Sequence, residues 1–177
     1  MSTEQCSTSE GNMSMAYEYF LVPYEVREGN RTGETFWRRL PGTEEWQFLS
    51  FWDWEWHKLA ETAPRHGSPQ AASLQPVSPE QAAELENNRS RWSLYWAVYP
   101  DTPKPGDQPV NVVRRKLSPD KSQDQIFGRD NQWVRTTDIF DFYSPWPTDP
   151  PHLEPVDAHE AERIIMERRG ISGATSW

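Results

Sequence analysis

The chain has 177 residues, a length that suits one domain or two very small ones. Hydrophobic residues make up only 35% of it, but ten Trp, seven Phe and six Tyr can bury roughly 150–250 Å² each and supply a core. The net charge of −9 opposes binding to nucleic-acid backbones and anionic membranes, and it suits a basic partner.

Most of that charge lies early, since residues 1–90 hold 7 basic and 14 acidic side chains. The single cysteine, Cys6, allows no internal disulfide and fits a reducing, cytoplasmic setting. No run approaches 18 apolar residues, and the N-terminus lacks the basic start and apolar stretch of a signal peptide. Residues 1–15 read as a disordered polar tail.

The first strand is expected over 16–26, where aromatic and β-branched residues dominate and Pro23 marks a bulge or an edge. A turn at 27–33 leads into a second strand at 34–40, and Pro41-Gly42 turns the chain again. Residues 46–59 read as one strand. From Trp52 the alternation puts Trp52, Trp54 and Trp56 on one face and Asp53, Glu55 and His57 on the other. A proline- and serine-rich loop follows at 64–73. A helix is predicted over 79–88, with Ser78 as N-cap, Pro79 in its first position and Gln81 completing a capping box.

The second half repeats the plan. Strands are expected at 91–100 and 110–117, and strand-like residues at 125–140, joined by turns at 101–109 and 118–124. A proline-stiffened loop covers 143–151. The last helix has Asp157 as N-cap, Glu160 as capping partner, Ala161, Ile164 and Ile165 as its buried stripe, and Gly170 as its stop.

The phrase LQPVSPEQAAEL at 74–85 returns as LEPVDAHEAERI at 153–164, an offset of 79. Arg38 and Arg39 match Arg114 and Arg115 at an offset of 76, while Asp53, Trp56 and Lys58 match Asp130, Trp133 and Arg135 at 77. The stretches YFLVPY (19–24) and YWAVYP (95–100) also correspond. These matches come in one order, as two copies of one unit would give. The expected fold is α+β: a tandem duplication of a strand-strand-strand-helix unit forming one pseudo-twofold domain, with mainly antiparallel sheet and two short helices. The divisions are a tail at 1–15, units at 16–90 and 91–170, and a tail at 171–177.

No metal-ligand spacing, cofactor motif or nucleophile signature is present, and the HEAER stretch at 159–163 ends in Arg163 where a zinc helix needs His. The expected function is therefore that of a non-enzymatic acidic protein-binding module, an adaptor, inhibitor or immunity-type protein without a cofactor. Its binding residues would be Arg38, Arg39, Trp54, Trp56, Arg114, Arg115, Trp133 and Trp146, near the groove of the pseudo-twofold axis. A homodimer is compatible with the same surface. One alternative is a hydrolase or lyase using the Asp53, Glu55, His57 face. Another is a single-stranded nucleic-acid binder that combines the paired arginines with aromatics.

Overall fold

The computed structural model describes residues 16–59, 69–146 and 149–176. The expected tail at 1–15 with Cys6, and residues 64–68 of the expected loop, lie outside the described residues. The chain is α+β, with two antiparallel five-stranded sheets and few short helices. Among the described residues no helix is long and apolar enough to cross a membrane.

Sheet one contains β1 (Glu18–Val26), β2 (Arg31–Arg39), β3 (Trp46–Leu49), β4 (Trp56–Lys58) and β5 (Gln75–Val77), in the order β4-β3-β2-β1-β5. Helix α1 (Pro79–Asn87) follows. Sheet two contains β6 (Ser93–Tyr99), β7 (Asn111–Lys116), β8 (Gln123–Phe127), β9 (Trp133–Arg135) and β10 (His152–Val156), in the order β10-β6-β7-β8-β9. Helix α2 (Asp138–Tyr143) lies between β9 and β10, and α3 (Ala158–Arg169) follows β10. Each sheet thus sets its fourth, third, second, first and fifth strands side by side.

The ladders agree residue by residue. Across sheet one, Tyr19 faces Arg38, Arg38 faces Gln47 and Gln47 faces Lys58. Across sheet two, Tyr95 faces Arg114, Arg114 faces Gln125 and Gln125 faces Arg135. On the other side, Tyr19–Val77 and Phe20–Pro76 correspond to Tyr95–Val156 and Trp96–Pro155. The matched residues of the sequence therefore occupy equivalent positions in the two sheets.

Pro76 and Pro155 have no N–H, so each must sit between the hydrogen-bonded pairs of its antiparallel ladder. The fifth strands differ in reach: β10 continues to a His152–Tyr99 pair, while β5 stops at Gln75 opposite Leu21. The position equivalent to Tyr99 is Pro23, which has no N–H to offer a partner strand, so the ladder ends there.

Several sequence expectations need correction. Residues 46–59 are not one strand. β3 ends at Leu49, Ser50 N–H donates to the Glu55 carbonyl (3.0 Å), and β4 starts at Trp56. Asp53 Oδ1 accepts the Glu55 N–H (3.1 Å) and Trp54 is left-handed (φ 63°), so this is a tight hairpin turn. The short strands β4, β5, β9 and β10 and the helix α2 were not expected, which raises each half from three strands to five and the α-helices from two to three. β2 begins at Arg31 because Gly29 and Asn30 complete the turn earlier, with φ of 72° and 50°. The capping box of α1 forms as read, Ser78 and Gln81 each accepting the other's N–H. In α3 only half of it forms: Asp157 accepts the Glu160 N–H (2.7 Å), while the Glu160 carboxylate turns to Arg163. Gly170 ends α3 in the left-handed conformation.

The packing also departs from a twofold relation. One apolar cluster lies between the sheets and includes Leu21, Phe36 and Leu49 from sheet one and Leu94, Trp96 and Val113 from sheet two. A second joins Tyr95, Ala97, Val112 and Phe127 to Ala161, Ile164 and Ile165 of α3. A third covers the far face of sheet one, through Phe20, Trp37, Trp46 and Phe48. By ladder position Phe36 corresponds to Val112 and Trp37 to Val113. The inner face of sheet one is therefore equivalent to the outer, α3-covered face of sheet two. A twofold axis would bring like faces together, whereas here unlike faces meet, as in a head-to-tail contact.

Specific contacts join the sheets. Trp92 is fully buried, stacked on Phe36 (5.6 Å) and Phe51 (4.9 Å), and donates to the Leu85 carbonyl of α1. Arg31 donates to the carbonyls of Tyr95 (2.5 Å) and Val156 (3.2 Å) over the Trp96 ring. Arg115 pairs with Glu28 of sheet one's hairpin (2.7 Å) and with Asp124 of β8 (2.6 Å). Gly33 faces Leu117, and a Cβ there would overlap the leucine Cδ1.

Candidate functional site

The sequence-predicted binding residues form internal contacts. Arg38 is half-buried, donates to Gln47 Oε1 (2.8 Å) and stacks over Tyr17 (4.0 Å) and Trp56 (4.3 Å). Its equivalent, Arg114, is buried, donates to Gln125 Oε1 (2.9 Å) and stacks over Trp133 (4.0 Å). The same Arg–Gln–Trp group thus recurs in both sheets, each arginine held between a cross-strand amide and an indole. Burial pulls Arg114 down to about 10, opposed by its contact with the Tyr95 phenol, so it stays protonated at neutral pH. Arg39 pairs with Glu18 (2.8 Å), and Arg115 with Glu28 and Asp124. For Arg115 burial lowers the pKa, but the two carboxylates outweigh it and raise it.

Trp56 donates to Glu86 Oε1 (3.2 Å) and Trp133 to the Ala174 carbonyl (2.9 Å), so both indoles tie their sheets to the chain after the fifth strand. Trp54 packs on Phe51 at the hairpin turn (5.3 Å). None of these arginines and tryptophans lines the two clefts described below. Trp146 alone of the expected set is fully displayed, at 73% exposure.

The expected Asp53, Glu55, His57 face does not form, because Asp53 lies in the turn and only His57 lies in β4. Asp53 does meet His57, its carboxylate 3.0 Å from Nε2, and Glu55 joins through its backbone. Burial raises the Asp53 carboxyl, but the Glu55 N–H and His57 together outweigh it and hold the group below its ordinary value. Asp130 repeats the turn in sheet two by accepting the Gln132 N–H (3.3 Å), with Asn131 left-handed where Trp54 stands. The Asp53–His57 pair therefore belongs to a turn common to both units. Among the described residues no three His, Cys, Asp or Glu side chains gather closely enough to hold a metal ion.

The two halves differ in sequence between their fourth and fifth strands. The connection is residues 59–74 in the first half and the equally long 136–151 in the second, which carries Ile139, Phe140, Phe142, Tyr143 and Trp146. Ile139 is fully buried, and the Tyr143 hydroxyl accepts the Trp96 N–H (3.1 Å), so α2 is fixed to sheet two. Phe140 remains 59% exposed on the same helix. The end of α2 contributes Asp141 and Phe142 to a cleft of about 350 Å³ that is also lined by Pro100, Asp101, Trp146, Asp149 and His152. Phe142 meets the His152 ring edge-on at 5.2 Å and forms the apolar wall. A second cleft of about 280 Å³ shares Pro100 and Asp101 and adds Asp107 and exposed Val110. The surroundings are negative. Burial and the carboxylates of Glu154, Glu160 and Asp107 raise the Tyr99 phenol above its usual value, against the opposing charge of Arg163.

Sequence reasoning missed Phe140, Asp101, Asp149 and His152. The available signal was the contrast between two equally long connections, one polar and one aromatic. No protein-family model matches the chain, and no curated protein or solved structure was found that matches it.

Proposed function

We propose that the protein is a non-enzymatic binding module that docks a basic protein partner on the surface formed by α2, the 100–102 turn and β10. The observation that carries this reading is Trp146, 73% exposed and lining an aspartate-rich cleft, together with Phe140, 59% exposed on the helix α2 that supplies part of the cleft wall. Exposed aromatics in contact with a concave polar surface are typical anchors of protein interfaces. The aspartates and the net charge of −9 favour a partner of opposite sign, whose approach they would speed.

The two sheets are, on the same reading, copies of one duplicated unit stacked head to tail. Their identical strand order and the equivalent ladder positions of Tyr19/Tyr95, Arg38/Arg114 and Gln47/Gln125 support it. The Arg–Gln–Trp groups then hold each unit's fold, and binding belongs to the connection in which the copies have diverged. A single cysteine in 177 residues favours a cytoplasmic setting.

The test is affinity capture from the native host with the wild-type protein and the Phe140→Ala/Trp146→Ala variant in parallel. A partner retained by the wild type at low salt, weakened by added salt and lost with the variant is the expected result. Equal capture by both proteins overturns the reading.

A further inference from the structure

Every other buried or half-buried Lys or Arg among the described residues has a hydrogen-bonding or ionic partner. Arg31 has two carbonyls, Arg38 and Arg114 have glutamines, and Arg39, Arg115 and Arg163 have carboxylates. Lys116, at the end of β7, is the exception. It is half-buried, and its ammonium has only the Trp54 ring, 5.6 Å from Nζ. The exposed guanidinium of Arg89 lies 4.7 Å from the same ring. An aromatic face attracts cations but cannot neutralise two of them.

The neighbourhood adds positive charge. Arg114 and Arg89 both act on Lys116, and the one carboxylate that does so is Asp53, which already faces His57. Burial first, then those two arginines, pull Lys116 down to about 8. Trp54 occupies a left-handed conformation (φ 63°) that a bulky side chain rarely adopts, at the position where sheet two has Asn131. A strained aromatic thus stands over an unneutralised pair of cations at the junction of the two sheets.

We infer that Lys116 and Arg89, which both lie against the Trp54 ring, form a binding site for the oxyanion of a small ligand, a phosphate or a carboxylate. The ligand's oxygens would accept from the Lys116 ammonium and the Arg89 guanidinium, giving both the charge-assisted hydrogen bonds they lack. The site is on the Trp54 hairpin and does not depend on the α2 surface.

Pyridoxal phosphate is a suitable probe because it joins an oxyanion to an aldehyde. The Lys116 amine attacks the aldehyde carbon, a C–N bond forms and the carbonyl oxygen leaves as water. Borohydride then delivers hydride to the imine carbon and fixes the adduct as a secondary amine for peptide mapping. The chain has four lysines: Lys58, Lys104, Lys116 and Lys121. The expected result at pH 7.5 is labelling of Lys116 at least about tenfold above the other three, because a phosphate held by Arg89 keeps the aldehyde beside its amine. Inorganic phosphate should suppress it, Arg89→Gln should weaken it, and pyridoxal without the phosphate should lose the preference. Uniform labelling overturns the proposal. So does preferential labelling of Lys116 that neither phosphate nor Arg89→Gln reduces, since that describes a reactive amine without an anion site.

Discussion

Phe51 of the β3–β4 turn and Trp92, just before β6, lie nearly parallel with ring centroids 4.9 Å apart and an interplanar angle of 14°. Phe36 stacks on Trp92 as well, so one indole packs on two phenyl rings at the junction of the sheets. Trp92→Ala should therefore lower stability by about 3–5 kcal/mol. Trp146→Ala, at a 73% exposed position, should stay within about 0.5 kcal/mol of wild type. Denaturant midpoints for the two variants provide the comparison, and similar losses would contradict the packing described here.

Gly33 lies where β2 approaches Leu117 so closely that a methyl group would overlap the leucine side chain. Gly33→Ala should destabilise by about 1–3 kcal/mol through overpacking. A companion Leu117→Ala change should recover part of the loss in the double variant, measured as a non-additive shift in thermal midpoint.

Glu28 links the sheets electrostatically. Burial raises its carboxyl, but backbone N–H donation and the Arg115 guanidinium prevail and hold it below its usual 4.5. A group depressed on folding contributes stability above its unfolded pKa and loses that contribution as pH falls through the folded value. Wild type should therefore exceed Glu28→Gln in stability at pH 7, and the gap should close below about pH 4. A gap that is unchanged between pH 7 and pH 3 in urea titrations would rule the linkage out.

Gly170 ends α3 at φ 68°, and the space where its Cβ would be is empty. The cost of Gly170→Ala is then conformational alone, about 1 kcal/mol. Gly42, also at positive φ (74°) with open space around it, should respond alike. Hydrogen exchange should show the α3 change confined to the helix C-terminus and the 171–176 segment that packs behind it.

The parts of this fold that were legible in the sequence are those fixed by short-range chemistry. Ser78-Pro79 and Asp157 start helices because their side-chain oxygens reach N–H groups three residues on, whatever surrounds them. The arginine pairs aligned correctly because register in a ladder is a property of spacing. The alternation from Trp52 to His57 misled because six residues of period two fit a tight hairpin as well as a strand. The deciding interactions, Asp53 Oδ1 with Glu55 N–H and Ser50 with Glu55, carry no periodic signal. Arg38 and Arg114 read as binding residues because arginine is usually exposed. In a chain with ten Trp, indole faces accept guanidinium groups inside the molecule. The head-to-tail packing could not be read at all, since it depends on which faces meet.

That packing has a consequence for assembly. A contact between like faces is closed once two units have joined, but a contact between unlike faces can in principle be repeated without end. The receiving face of sheet one, with Phe36 and Leu49, takes sheet two. The corresponding face of sheet two, with Val112 and Phe127, is covered by α3 through Ala161, Ile164 and Ile165. If the sheets are copies of one unit, as proposed, α3 covers the face of sheet two that corresponds to the docking face of sheet one, and removing α3 would open that face to a further sheet.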